Sequence, residues 1–200
     1  MATDGIKWSA YARVLKYDGP TCIELARHLG HAPTAEDLRW MEAHEGLKPD
    51  SISEAHGNLL TTAGLARITA LITANGGLNA FNNANAVVGV GNSATAAAIT
   101  DTDLNAATGA TNRYVMGADS SNPTSSNGVI TCNSTFVAAN GNFAWQEWAW
   151  AIATGAITPG TGSMASVAAT SLVMLNHKVQ SLGTKISPAV WTLQATITLS

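Results

Sequence analysis

One carboxylate stands in chemically unusual company. Glu147 falls inside Asn142–Thr154, Asn-Phe-Ala-Trp-Gln-Glu-Trp-Ala-Trp-Ala-Ile-Ala-Thr, where three of the six tryptophans of the chain occur within six residues. An acid among indoles can serve catalysis only with a partner acid or a cleft. Otherwise it must be held by hydrogen bonds or by an arginine, because an unpaired buried charge is costly. Residue order places neither Asp101, Asp103 nor Asp119 beside it, whereas Arg113 and Arg67 are available. The expectation is a structural carboxylate, hydrogen-bonded or Arg-paired.

Other residue groups with chemical potential point the same way. Ser/His/Asp catalysis needs a base beside a nucleophile. Four of the five histidines (His28, His31, His44, His56) lie toward the N-terminus, and His177 is accompanied by no Gly-x-Ser-x-Gly elbow. His28 and His31 could share a helical face as metal ligands, but Gly30 between them should end the helix. Asp101-Thr-Asp103-Leu-Asn105 imitates the opening of a calcium loop. The glycine that such a loop needs is Ala106, and its bidentate acid is Asn112, so the pattern reads as a turn. Val88-Gly-Val-Gly91 lacks the full dinucleotide-binding pattern and its βαβ setting; its glycines read as backbone turning sharply. Cys22 and Cys132 form neither a metal-ligand spacing nor a disulfide framework and are expected as buried thiols. No catalytic, cofactor-binding or metal-binding residue is assigned, and the chain is expected not to be an enzyme.

To carry large apolar groups at both parities, the Trp stretch must be a strand covered on two sides. Strict alternation sets Phe143, Trp145, Glu147 and Ala149 on one face and Gln146, Trp148, Trp150 and Ile152 on the other. A buried Trp removes about 150–250 Å² from water, a gross ~4–6 kcal/mol at ~25 cal/mol/Å². Phe143, Trp145, Glu147, Trp148, Trp150 and, from the last strand, Trp191 are therefore the expected structural core.

From residue 80 onward the chain reads as strands separated by polar loops: Ala86–Val90, Arg113–Met116, Gly128–Ala138, the Trp strand, Ser171–Val179 and the alternating run from Trp191 to Leu199. Gly91–Gly109, Asp119–Gly128 and Thr158–Ser166 read as loops. A helix is expected from about Thr62 to Ala74, capped by Thr61 or Thr62, with Leu65, Ile68, Leu71 and Ile72 facing a sheet and Asn75-Gly76-Gly77 as its stop. The architecture expected is a mainly β protein, a β-sandwich or jelly-roll-like domain over residues 58–200 with one covering helix.

Residues 1–57 read as a separate helical N-terminal arm. Two short helices are expected, about 21–29 and, capped by Thr34 with Asp37 at the capping-box position, about 35–45. Trp8, Tyr11 and Val14 with Leu15 are spaced for one helical turn or a clamp onto a neighbour, and residues 47–58 read as a linker. Trp8, Tyr11, Leu38, Trp40 and Met41 are the expected partner-binding residues of this arm. The helix pair has the cadence of a helix-turn-helix, but Glu36, Asp37, Glu42 and Glu45 oppose Arg39 alone, which repels phosphate.

The charge distribution narrows the class. Net charge is −3 over 200 residues, which makes no case for nucleic acid or an anionic membrane. Residues 1–54 hold nine acids and six bases; residues 55–200 hold four of each. So sparse a charge suits a β protein in a repetitive assembly or outside the cell. No signal peptide and no membrane span are expected.

Four blocks occur together and in order: Asn58-Leu-Leu-Thr-Thr-Ala-Gly-Leu; Val87-Val-Gly-Val-Gly-Asn-Ser-Ala-Thr with Asp101-Thr-Asp-Leu; Asn142-Phe-Ala-Trp-Gln-Glu-Trp; and Leu175-Asn-His-Lys-Val-Gln-Ser-Leu-Gly-Thr-Lys with Trp191-Thr-Leu-Gln. Residues 58–200 thereby resemble virion structural proteins of tailed bacteriophages of actinobacteria, capsid-associated or minor tail proteins. The resemblance implies a structural β domain, often oligomeric, with no catalytic residues. The expected role is a capsid decoration or minor capsid protein of the virion, assembled in the host cytoplasm. Its expected partners are its own copies, as a homo-trimer, and the major capsid protein, gripped by the arm. The alternatives are a minor tail or baseplate protein and a carbohydrate-binding adsorption module.

Overall fold

A computed structural model describes residues 8–57, 59–76, 78–154 and 172–199. The expected loop Thr158–Ser166 and the stop residue Gly77 lie outside them. Among the described residues, ten strands form two five-stranded antiparallel sheets stacked as a β-sandwich. The first sheet has the order β2-β1-β10-β7-β6, built from β1 (Trp8–Tyr17), β2 (Ser51–His56), β6 (Thr124–Ser126), β7 (Val129–Phe136) and β10 (Val190–Leu199). The second has the order β3-β9-β8-β4-β5, built from β3 (Leu59–Leu60), β4 (Ala86–Gly91), β5 (Arg113–Gly117), β8 (Ala144–Ala153) and β9 (Leu172–Thr184).

The N-terminal segment is not a separate arm. β1 lies between β10 and β2, with Tyr11 opposite Thr196 on one side and His56 on the other. Ala10, Ala12 and Val14 point inward and are buried. Small alanines at the inward positions let the large rings of the second sheet approach, but they also hide the period of two behind Trp8, Tyr11 and Leu15. β2, expected as linker, is an edge strand whose only buried residue is Ala55; a solvated edge needs no apolar alternation.

Both expected N-terminal helices form, α1 (Gly19–Leu29) and α2 (Ala35–His44), as an insertion between β1 and β2. Pro20 starts α1 and Gly30, at φ 77°, ends it. Thr34 and Asp37 close the capping box of α2. Cys22, Leu25, Leu38 and Met41 pack on Tyr17 and Val190 in a small core of their own. Arg39 then reaches across to buried Asp119 at 3.4 Å, and the Tyr17 hydroxyl donates to Glu42.

The main core lies between the sheets. Phe143, Trp145, Trp148, Trp150 and Trp191 are all buried there, and Trp145 meets Phe136 and Trp191 edge-on at centroid distances of 4.7 and 5.0 Å. Strict alternation fails once. A register irregularity against β9 between Trp145 and Glu147 lets Trp145 join Trp148 and Trp150 inside, instead of sharing the face of Glu147. Glu147 and Ala149 then face outward, and residues 92–112 cover that side, with Leu104 on Ala149 and Met174.

The third helix, α3 (Thr62–Ile72), lies against β9 on only part of the expected face: Ile68 and Leu71 are half-buried and line an apolar cavity with Ile152 and Ile197. Leu65 is 52% and Ile72 77% exposed, while Gly64 and Arg67 are buried. Any Cβ at Gly64 would strike the Leu175 backbone, so helix and strand meet there directly. Arg67 turns inward to donate to the Asn79 carbonyl at 2.7 Å.

Candidate functional site

Three strands and one long connection bring the few ionisable residues of the sandwich together. Glu147 on β8 is fully buried. Its Oε1 accepts from the Ala106 amide at 2.7 Å, and its Oε2 accepts from the Asn105 amide at 2.9 Å and contacts His177 Nε2 at 2.8 Å. The other ring nitrogen, Nδ1, lies 2.7 Å from Oδ2 of Asp101, which also accepts from the Ala98 amide. His177 is on β9, opposite Ala149, and so on the same face as Glu147. Gly91 of β4, opposite Glu147, makes this possible: a Cβ there would collide with Glu147 Oε1.

Of the two expected alternatives for Glu147, the hydrogen-bonded carboxylate is the one found, held by a histidine and two backbone amides, and neither arginine pairs with it. Arg113 pairs instead with Asp103 at 2.7 Å, and Arg67 serves α3. The second acid, Asp101, does come near Glu147, across the imidazole. Residue order gave no sign of this because the two are joined through a histidine 30 residues beyond Glu147 and 76 beyond Asp101. The available signal was scarcity. Residues 55–200 have only four acids, and in so charge-poor a domain each buried one needs a partner.

Both contacts of His177 are hydrogen bonds only if both ring nitrogens carry protons. Burial disfavours the charged ring, but its bonds to Glu147 and Asp101 and their negative charge outweigh burial and raise its pKa above the ordinary histidine value. The ring has no exposure. With both nitrogens committed to carboxylates, it can store a proton and tie chain segments together. Among the described residues, no group of three or more His, Cys, Asp or Glu is arranged to hold a metal ion. Asp103, the second acid of the calcium-like run, is spent on Arg113 and the Leu104 amide.

A second buried polar anchor is Lys185, whose Nζ donates to the Val137 carbonyl and Asn142 Oδ1, each at 2.9 Å. Burial pushes its pKa down to about 8. Cys22 and Cys132 are both free and buried, and burial raises both thiols; such thiols are poor nucleophiles.

The expected partner-binding residues do not form one surface. Leu38 and Met41 are core residues of the helix pair. Trp8 is half-buried at the start of β1, and Tyr11 donates to Glu54 at 2.7 Å on the outer face of the first sheet. Trp40 alone stands out, 52% exposed and stacked on His44 at 4.8 Å. At the opposite end of the sandwich, Trp8, Phe81, Ile130, Ile152 and Leu199 help line a wholly apolar cavity of about 190 Å³, with no polar group to orient a ligand.

Compared with protein-family models, with curated proteins and with solved structures, the chain finds no match in any of the three.

Proposed function

We infer that the protein is a structural component of a bacteriophage virion, a capsid decoration or minor capsid protein that attaches through the α1–α2 hairpin. The observation that carries this reading is the hairpin itself. β1 and β2 are adjacent antiparallel strands, which a two-residue turn can join. The helices are therefore additional to what the sheet needs, and they present an exposed indole. Exposed Trp is a frequent anchor of protein interfaces. One turn before Trp40 on the same helix lies exposed Glu36, while the one arginine of α2, Arg39, is engaged by Asp119. A surface of that kind suits a basic protein partner with an apolar pocket and opposes nucleic acid.

The likeness of four sequence blocks to phage virion proteins supports the assignment, as does the sparse charge of the sandwich, which eases contact among copies in a small cluster such as a trimer. Adsorption to glycans would need exposed rings; Trp148 is fully buried, and Trp40 is the indole that could serve.

Reconstitution tests the reading. Phage heads stripped of this protein should rebind the wild-type chain, and Trp40→Ala should weaken rebinding by about tenfold or more while leaving the fold unchanged by circular dichroism. Equal rebinding by both would overturn attachment through the hairpin. Copies per particle separate the two virion locations: hundreds fit a shell protein, whereas a handful would move the assignment to tail or baseplate.

A further inference from the structure

Residues 92–112 leave β4 beyond Gly91, cross the outer face of the second sheet and rejoin it at Arg113. Their apolar attachment is thin, chiefly Leu104 on Ala149 and Met174. Their polar attachment has two flanking anchors, the Thr62 amide on the Ile99 carbonyl at 2.8 Å and Arg113 on Asp103 at 2.7 Å, and a denser centre around His177. The Asn105 and Ala106 amides rest on Glu147, and Asp101 holds the far side of the His177 ring. We propose that Asp101, His177 and Glu147 form a proton-operated latch: the doubly protonated ring clamps residues 92–112 to the sheet, and loss of one ring proton releases them.

A neutral imidazole offers one donor and one lone pair. Once the ring is neutral, one of the two carboxylates faces that lone pair at hydrogen-bond distance, and two acids share the site without a cation. Glu147 is fixed in a central strand and fully buried, whereas the Asp101 side chain is 16% exposed. Asp101 is therefore the partner that swings out, carrying the connection with it. The proton has a route to solvent through Asp101, whose partly exposed side chain touches the ring.

No other charge takes over the role. Leu59 of β3 and Ala149 of β8 flank His177 and are uncharged. Asp103 is neutralised by Arg113 of β5. Lys178, next along β9 and opposite Trp148, lines the same groove as His177 and is in no ion pair with Glu147 or Asp101 among the described residues. The ring pKa is raised in the folded protein, so the stabilisation is complete below the unfolded value of about 6.5. It is lost as pH rises through the folded value. The latch opens on the alkaline side.

Amide hydrogen exchange of the full chain, followed by NMR over a pH series, tests this. Protection factors, corrected for the intrinsic rate, should fall about tenfold or more for Asn105 and Ala106 as the His177 ring titrates, with Trp150 unchanged. His177→Gln should abolish the step, and Asp101→Asn, which removes one of the two carboxylate charges, should move it to lower pH. Constant protection through the ring titration, or an equal step in His177→Gln, would overturn the latch. Should His177→Gln fail to fold, Asp101→Asn decides alone, and an unshifted midpoint refutes the proposal.

Discussion

At the scale of single residues, two buried bases respond to pH in opposite senses. His177 sits between two acids and loses stabilising charge as pH rises. Among the described residues Lys185 has no acid in contact; it donates to the Val137 carbonyl and the Asn142 side chain, and burial lowers its pKa from 10.5 to about 8. Between those two values the unfolded chain binds more protons at this site than the folded one. Stability should therefore climb with pH across that window, by roughly 3 kcal/mol in all for this residue. Denaturant unfolding of Lys185→Met over the same pH series should show the climb flattened. A slope equal to that of the wild type would show that the lysine is far better solvated than its position implies.

At the scale of elements, two threonine caps differ in what surrounds them. Thr34 caps α2 at the surface, exchanging hydrogen bonds with Asp37. Thr61 caps α3 from a fully buried site: it accepts from the Gly64 amide and donates to the Met174 carbonyl at 2.6 Å. Thr34→Ala should cost about 1 kcal/mol, the usual value of an exposed cap. Thr61→Ala also strands a buried carbonyl and should cost about 2–3 kcal/mol. Chemical denaturation of the two variants side by side checks the order, and equal costs would contradict the seating of α3 on β9. The same seating explains why the apolar spacing of α3 holds for Ile68 and Leu71 and fails for Leu65 and Ile72. Leu65 and Ile72 have the right period, but Gly64 permits the closest approach to the strand, and closest approach decides which side of a helix is buried.

At the scale of the whole molecule, the first strand is indispensable. β1 hydrogen-bonds to β10 and β2 along most of its length and supplies Ala10, Ala12 and Val14 to the main core. Deleting residues 1–57 would expose the edge of β10 and open the core beside Trp191. The truncated chain should be aggregated or molten, without a cooperative thermal transition. A soluble, cooperatively folding product would refute this strand order. Attachment is better tested by altering the hairpin surface than by removing the segment that carries it.

Much of this was legible in residue order. The capping box at Thr34, the stop at Gly30, the alternation from Trp191 to Leu199 and the burial of Trp145, Trp148 and Trp150 depend on neighbours in sequence or on bulk hydrophobicity, and the folded protein keeps them all. The class, a β-sandwich with one covering helix, follows from those local patterns. Three things were settled only by contacts distant in sequence. Alanines on β1 became a central strand because the rings opposite need the space. The irregularity after Trp145 moved an indole to the other face. His177 was drawn between Asp101 and Glu147 because a buried charge must be balanced by whatever the fold brings within reach, and reach is a property of the folded chain.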